Sequence, residues 1–190
     1  MASWNEEIKK ELGACGENVF IGHNTIITQP QNVYLGDNVR IDPFTLITSK
    51  LVVKNYVQIC AYAMLGGSYN TIFLEDWTFI GYGSKLFTNS EDYSGAGGPV
   101  NEFWGKGRVY KGDITLNKYA GIASDVMVFP GIEFPEGTCI GAKSLVTRTT
   151  QLDPYKVYTG NPLKWFKNRD AMNIQYFANN KEFIKDKWQK

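Results

Sequence analysis

A large apolar side chain returns every six residues through most of the chain. The first run is Cys15, Ile21 and Ile27, and a step of eight leads to Leu35, Ile41, Ile47, Val53, Ile59 and Leu65. A step of nine leads to Leu74, Ile80 and Leu86, and an unbroken last run holds Leu116, Ile122, Val128, Phe134, Ile140 and Val146. Four residues after most of these stands a small or β-branched residue, among them Val39, Thr45, Val57, Ala63, Ser84, Ala120 and Ser144. A helix repeats at about 3.6 residues and a strand of a hairpin sheet at 2, so a sustained six predicts a mainly β coil of short strands and turns. Three such units make one triangular turn of roughly eighteen residues, with the large residue inside and the small one near a corner. Gly22, Gly36, Gly66, Gly81 and Gly141 follow the large residue and are expected to serve the turns. Successive coils then stack at about 4.7–4.9 Å as parallel strands around one core.

The pattern also divides the chain. Ser3 and Glu6 fit a capping box, and Ile8 and Leu12 give a short helix over residues 1–13 one apolar face with which to lid the first coil. The coils are expected over 14–149, interrupted by a loop at 89–113 whose repeated glycines between Gly95 and Gly112 exclude continuous regular structure. A long loop in a compact solenoid is usually functional, and Tyr93, Phe103, Trp104 and Tyr110 give this one groups to pack or stack with. Asp153-Pro154 is read as the exit from the coils. Trp165, Phe166, Ile174, Phe177, Phe183, Ile184 and Trp188 in the tail, 150–190, predict one or two amphipathic helices capping the open lower coil.

Composition narrows the function. The 190 residues suffice for one domain with a real core, and 43% hydrophobic content is that of a globular protein. The net charge of +1 leaves the coils without the basic face that a nucleic-acid partner requires. Only the stretch from Leu163 is locally basic, with Lys164, Lys167, Arg169, Lys181, Lys185, Lys187 and Lys190, either a solvated face or a landing site for an anion. Cys15, Cys60 and Cys139 are far apart and odd in number, which suits free thiols in a reducing compartment. The opening MASWNEEIKK lacks an apolar signal core and no run is long enough to span a bilayer, so a cytoplasmic location is expected. One histidine, His23, cannot supply a three-histidine zinc site, and no metal is expected.

With hexads established, the chain resembles the hexapeptide-repeat acyltransferases, whose fold is a left-handed parallel β-helix. The most specific likeness lies in residues 122–169, where Gly141, Ser144, Val146 and Thr147 are followed by Gly160, Asn161, Pro162 and Lys164. This is similar to the end of the sugar and xenobiotic acetyltransferase branch. The resemblance implies a homotrimer with active sites in the clefts between neighbours, and acetyl-CoA as acyl donor. By position it implies Ala123, Gly141 and Ala142 along the pantetheine arm, Thr147 and Arg148 nearer the adenine, and Lys164 on a phosphate.

Acyl transfer from a thioester needs a base, or an acceptor already deprotonated. In many members of the family the base is a histidine at the entry to the long loop. Here His23 stands in the first coil instead, and aligning LFTNSEDYSG with the loop entry puts Glu91 at that position. The expected base is therefore Glu91, with Asp92 as its partner or substitute and Asn89 as a polar anchor. An amine keeps a neutral fraction near pH 7 whereas an alcohol needs a stronger base, so the missing histidine favours N-acetylation of an amino sugar, nucleotide-linked, in bacterial surface-polysaccharide biosynthesis. O-acetylation of a glycoside or polysaccharide hydroxyl and a non-catalytic β-helix scaffold remain the alternatives. Direct attack in a ternary complex is expected, because neither Cys60 nor Cys139 stands where an acyl-cysteine would form.

Overall fold

Two positions in each six-residue unit leave water, and their recurrence builds the interior. The computed structural model describes residues 6–99 and 107–180. Along the column of large residues Ile41, Ile59, Leu65, Ile80, Leu86, Leu116, Phe134 and Val146 are fully buried, and Val39, Val57, Ala63, Ser84, Val126 and Thr138 are buried beside them. Cys15, at the open edge of the first coil, is exposed.

Apart from one separate two-stranded hairpin, the strands, two to five residues each, stack into three sheets that form the sides of a prism. The first face orders Ala14–Cys15, Val33–Leu35, Lys50–Val53, Thr71–Leu74, Ile114–Leu116 and Ile132–Phe134, all parallel. The second face begins with Phe20–Ile21 and the third with Ile26–Ile27. Register places Ile41 on Ile59 and Ile80 on Ile122, so hexad residues lie over one another. First-face strands are longer and bury a second residue, Val33, Leu51, Ile72, Ile114 or Ile132, through the two-residue alternation of a strand.

The turns depart from expectation. The left-handed backbone falls three residues after the large residue of first- and second-face strands, among them on Asn38 (φ 56°), Phe44 (62°), Tyr56 (59°), Tyr62 (62°), Trp77 (62°) and Tyr119 (61°). This conformation costs a non-glycine residue about 1–2 kcal/mol. Stacking along the corner offsets it: Tyr56 lies on Trp77 at 4.3 Å and 8°, and Phe44 on Tyr62 at 5.2 Å and 4°. The glycines answer a different need, close approach between coils. A Cβ on Gly81 would come within 2.4 Å of the Ala123 carbonyl carbon.

The steps of eight and nine have one cause. Between the third and first faces the chain inserts 28–32, then 67–70, then 88–113, whereas the passages at 48–49 and 129–131 are short. All the length variation between complete coils is thus gathered at one corner of the prism.

The upper end is lidded by helix α1, Glu6–Glu11, with Ile8 and Leu12 packed on the core; Ser3 of the expected capping box lies outside the described residues. At the lower end the coils continue past Thr149. Six and twelve residues beyond Val146 stand Leu152, packed on the core, and Tyr158, buried in a strand, Lys156–Thr159, that pairs parallel with Cys139–Ile140. Asp153-Pro154 is a corner and no exit, as Asp42-Pro43 is within the stack. Strand Lys164–Asn168 folds back antiparallel, and helix α2, Ala171–Asn179, follows with the Asp170 carboxylate accepting from the Asn173 N–H at 2.9 Å. Helix α2 buries no residue, so among the described residues the lower end is covered by Leu152 and Leu163. Phe183, Ile184 and Trp188 lie outside the described residues.

Candidate functional site

The longest insertion begins and ends as a hairpin. Asn89–Glu91 pairs antiparallel with Val109–Lys111, setting Ser90 opposite Tyr110 and Glu91 opposite Val109. Its base is fastened to the coils: Thr88 donates N–H and Oγ1 to the Gly66 carbonyl, Gly112 donates to Thr88 O at 3.1 Å, and Asp113 Oδ1 accepts from Thr71 N at 2.9 Å and Asn70 Nδ2 at 3.1 Å. Gly67 (φ 115°) is obligatory here, because a Cβ would stand 2.1 Å from Thr88 Oγ1.

Between this hairpin and the lower coils lies a cavity of about 300 Å³ lined by Ser90, Glu91, Tyr93, Tyr110, Phe129, Pro130, Thr147 and Arg148. Glu91, Thr147 and Arg148 are thereby brought together. The Arg148 guanidinium sits 4.6 Å from the Tyr110 ring centroid, which fixes a cation in the lining that also holds the half-buried Glu91. A carboxylate, a guanidinium, two phenols and an apolar floor suit a small ring compound with polar substituents.

The other two loop residues serve the loop. Asp92 is buried, its Oδ1 accepts from Ser94 N at 3.0 Å, and its own N–H donates to Arg108 O. The Ser94 hydroxyl and N–H, helped by the Arg108 charge, hold its carboxyl below the usual carboxylate range. A carboxylate so stabilised is a weaker proton acceptor than an ordinary one. Asn89 is half-buried; its Oδ1 is buried without a hydrogen-bond partner and lies 2.5 Å from where a Gly67 Cβ would stand, away from the residues lining the cavity. His23 is exposed in the first coil, edge-on to Phe44 at 5.7 Å, on a different corner. Phe103 and Trp104 lie outside the described residues.

Ala123 and Gly141 line a second, larger cavity of about 690 Å³, between the second face and the C-terminal segment. Cys139 and Val157 supply its floor, Ile174 and Phe177 its apolar wall, and Lys167 and Arg169 its basic edge. Arg169 also anchors the segment, its Nη1 donating to Tyr119 O at 2.8 Å and Gly137 O at 2.6 Å. Ala142 and Lys164 are exposed and line neither cavity. The basic cluster after Leu163 was the signal for Lys167 and Arg169; what the sequence lacked was the fold-back strand that turns them toward the coils.

Neither Cys60 nor Cys139 is poised for chemistry. Burial first, and then the Asp42 charge, push the Cys60 thiol up to about 11, with Arg40 opposing. Burial also raises Cys139, against the pull of Arg169. Both are protonated near neutral pH, when only a thiolate attacks a thioester readily. Among the described residues no three His, Cys, Asp or Glu gather as a metal-ligand group, and no helix is long and apolar enough to cross a membrane.

No protein-family model matches the chain. It is 28% identical over 184 residues to the dTDP-4-amino-4,6-dideoxy-D-glucose acyltransferase of Escherichia coli, covering 92% of this chain and 93% of that one. The structure superposes on the N-acyltransferase AntD of Bacillus cereus in complex with dTDP and 3-hydroxybutyryl-CoA with a TM-score of 0.84 at 29% identity, over 94% of this chain and 96% of that one. A variant of that enzyme has been solved with dTDP-4-amino-4,6-dideoxyglucose and coenzyme A. A hexapeptide-repeat acetyltransferase of Vibrio cholerae, 14% identical with a TM-score of 0.58 over 86% of this chain and 74% of that one, shares the fold.

Proposed function

Because the chain belongs to the hexapeptide-repeat, left-handed β-helix acyltransferases, we propose that it transfers an acyl group from coenzyme A to the amine of a nucleotide-linked amino sugar. The observation that carries this reading is the likeness, along more than nine-tenths of the chain, to an acyltransferase of a dTDP-linked 4-amino sugar and to an N-acyltransferase solved with dTDP, joined to a glutamate in the lining of a sugar-sized cavity. Acetyl-CoA is the simplest donor.

In this reading the neutral amine attacks the thioester carbonyl, forming the C–N bond as the carbonyl becomes an oxyanion. Collapse breaks the C–S bond, and Glu91 moves the ammonium proton toward the departing thiolate. Arg148 and Tyr110 orient the sugar beside Glu91, and Thr147 closes the wall. Asp92 holds the hairpin through Ser94, and Asn89 sets its root. Small residues at Ala123 and Gly141 let the pantetheine arm approach the backbone, with Lys167 as a cation for its phosphates.

The glutamate cavity lies at the corner between third and first faces, while the cavity with Ala123 and Gly141 follows the second face. One chain therefore holds donor and acceptor clefts on different corners, which supports a homotrimer whose active sites join two copies. Soluble donor and acceptor support a cytoplasmic enzyme of bacterial surface-polysaccharide biosynthesis. The test is thiol release from acetyl-CoA with a dTDP-linked 4-amino sugar and with its 4-hydroxyl counterpart. Turnover with the amine alone is expected; turnover with neither, or with the alcohol alone, overturns the reading.

A further inference from the structure

One corner of the prism carries an unfinished aromatic ladder. Between the second and third faces, the left-handed position of each coil is taken in turn by Asn24, Phe44, Tyr62, Gly83, Asp125 and Lys143. Phe44 lies on one face of the Tyr62 ring, so the other face of that ring is turned to the coil below. That coil offers Gly83, which has no side chain to meet it. Tyr62 accordingly keeps 63% exposure despite its stacked neighbour, and Tyr82 at the same corner keeps 55%. The interruption is one coil deep, so Tyr62 and Asp125 are two strand spacings apart, roughly 9–10 Å. A flat ring about 3.5 Å from Tyr62 fits in that step.

The step has a polar inner wall as well. An Asp125 carboxylate oxygen stands 2.6 Å from where a Gly83 Cβ would be, so it occupies the layer of the missing side chain and faces the edge of any ring placed there. A carboxylate only accepts hydrogen bonds, so it selects a ring with an N–H on its edge. Lys85 donates Nζ to Gly83 O at 3.3 Å, holding an ammonium beside the opening. Ala123 and Gly141 stand at this same corner one and two coils lower, on the edge where the donor cavity lies.

We propose that the step beneath Tyr62 is a nucleobase subsite: Tyr62 stacks on a pyrimidine of the thymine or uracil type, Asp125 accepts its ring N–H, and Lys85 meets the diphosphate. The proposal rests on the nucleotide-sugar reading and adds to it the residues that choose the base. Cytosine, whose ring nitrogen at that edge is an acceptor near pH 7, meets the carboxylate lone pair to lone pair and is rejected.

Calorimetric titration of the intact protein with dTDP, dCDP and coenzyme A tests it. The wild type is expected to bind dTDP more tightly than dCDP. Tyr62→Ala weakens dTDP about ten-fold, as loss of one aromatic stack does, and leaves coenzyme A binding unchanged. Asp125→Asn narrows the dTDP to dCDP preference, because an amide offers both donor and acceptor. Tyr62→Leu, which keeps an apolar body but no ring face, reads the stacking should the alanine variant melt early. Wild-type dTDP affinity in both Tyr62 variants, or an unchanged base preference in Asp125→Asn, overturns the subsite while leaving the nucleotide-sugar reading intact. Failure of the wild type to bind dTDP at all, with coenzyme A still bound, overturns both.

Discussion

The coils and the hairpin at 89–91 and 109–111 are built on opposite principles. In the coils every strand has a parallel neighbour and the same side chains recur in the same places, so each residue supports the next and almost none is left for chemistry. The hairpin pairs only with itself and is fastened at its root by a few hydrogen bonds, yet it brings Glu91 to a cavity whose far wall is fixed by the coils. Precision comes from the rigid wall, and variety from the one corner where the solenoid admits extra residues. The same separation predicts that damage to one region will be felt as instability and damage to the other as lost turnover.

The coils should show the larger stability effect. Phe134 is fully buried among neighbouring coils, and Phe134→Ala is expected to remove about 3–5 kcal/mol. Denaturant unfolding checks this; a loss under 1 kcal/mol would mean that the lower coils are not part of the cooperative core. Glu91→Gln is the counterpart in the hairpin. It should lower kcat by about 10²–10⁴-fold, the usual worth of a positioned base, with the melting temperature and coenzyme A affinity within error of the wild type. A parallel fall in stability would place Glu91 in the scaffold and not in the chemistry.

The same contrast governs what could be read from sequence. The six-residue period exposed the coils because burial repeats at a fixed interval, and the steps of eight and nine already marked the corner of insertions. The period also ran on through Leu152 and Tyr158, hidden by Asp153-Pro154, since a proline that ends regular structure elsewhere is an ordinary corner residue here. Aromatic residues at positive φ were illegible, as intrinsic preference argues against them and only stacking between distant coils reverses it. Glu91 is an expectation from aligning the loop entry with the resembled family, and the structure puts it in the lining of a cavity. Its grouping with Arg148 and Tyr110 is not legible in the sequence, because the loop's return strand fixes that geometry and leaves no period behind.

The joint between the two regions should give an intermediate effect. Gly67→Ala puts a methyl group 2.1 Å from Thr88 Oγ1 at a backbone φ of 115°, and the strain expected is about 1–3 kcal/mol. Thr88 roots the hairpin, so this one change should lower both stability and turnover, and the double mutant with Glu91→Gln should show kcat no worse than Glu91→Gln alone. Additive losses in kcat would mean that Gly67 acts on the reaction by a route other than the position of Glu91.

The smallest effect should be a pH dependence confined to the loop. Asp92 is held below the usual carboxylate value by the Ser94 hydroxyl and N–H and by Arg108, so its ionised form is favoured in the folded loop. A group with a depressed folded pKa contributes stability that is complete above its unfolded value, about 3.9, and is lost as pH falls through the lowered folded value. Limited proteolysis of the 92–98 segment should therefore be slow at pH 6 and accelerate below about pH 4, while the coils, whose burial is apolar, stay resistant. Asp92→Asn cannot ionise, so its cleavage should already be faster at pH 6 and should change less on acidification. If wild type and variant share one pH profile, another group closes the loop, and the division of labour between Glu91 in the cavity and Asp92 in the turn fails.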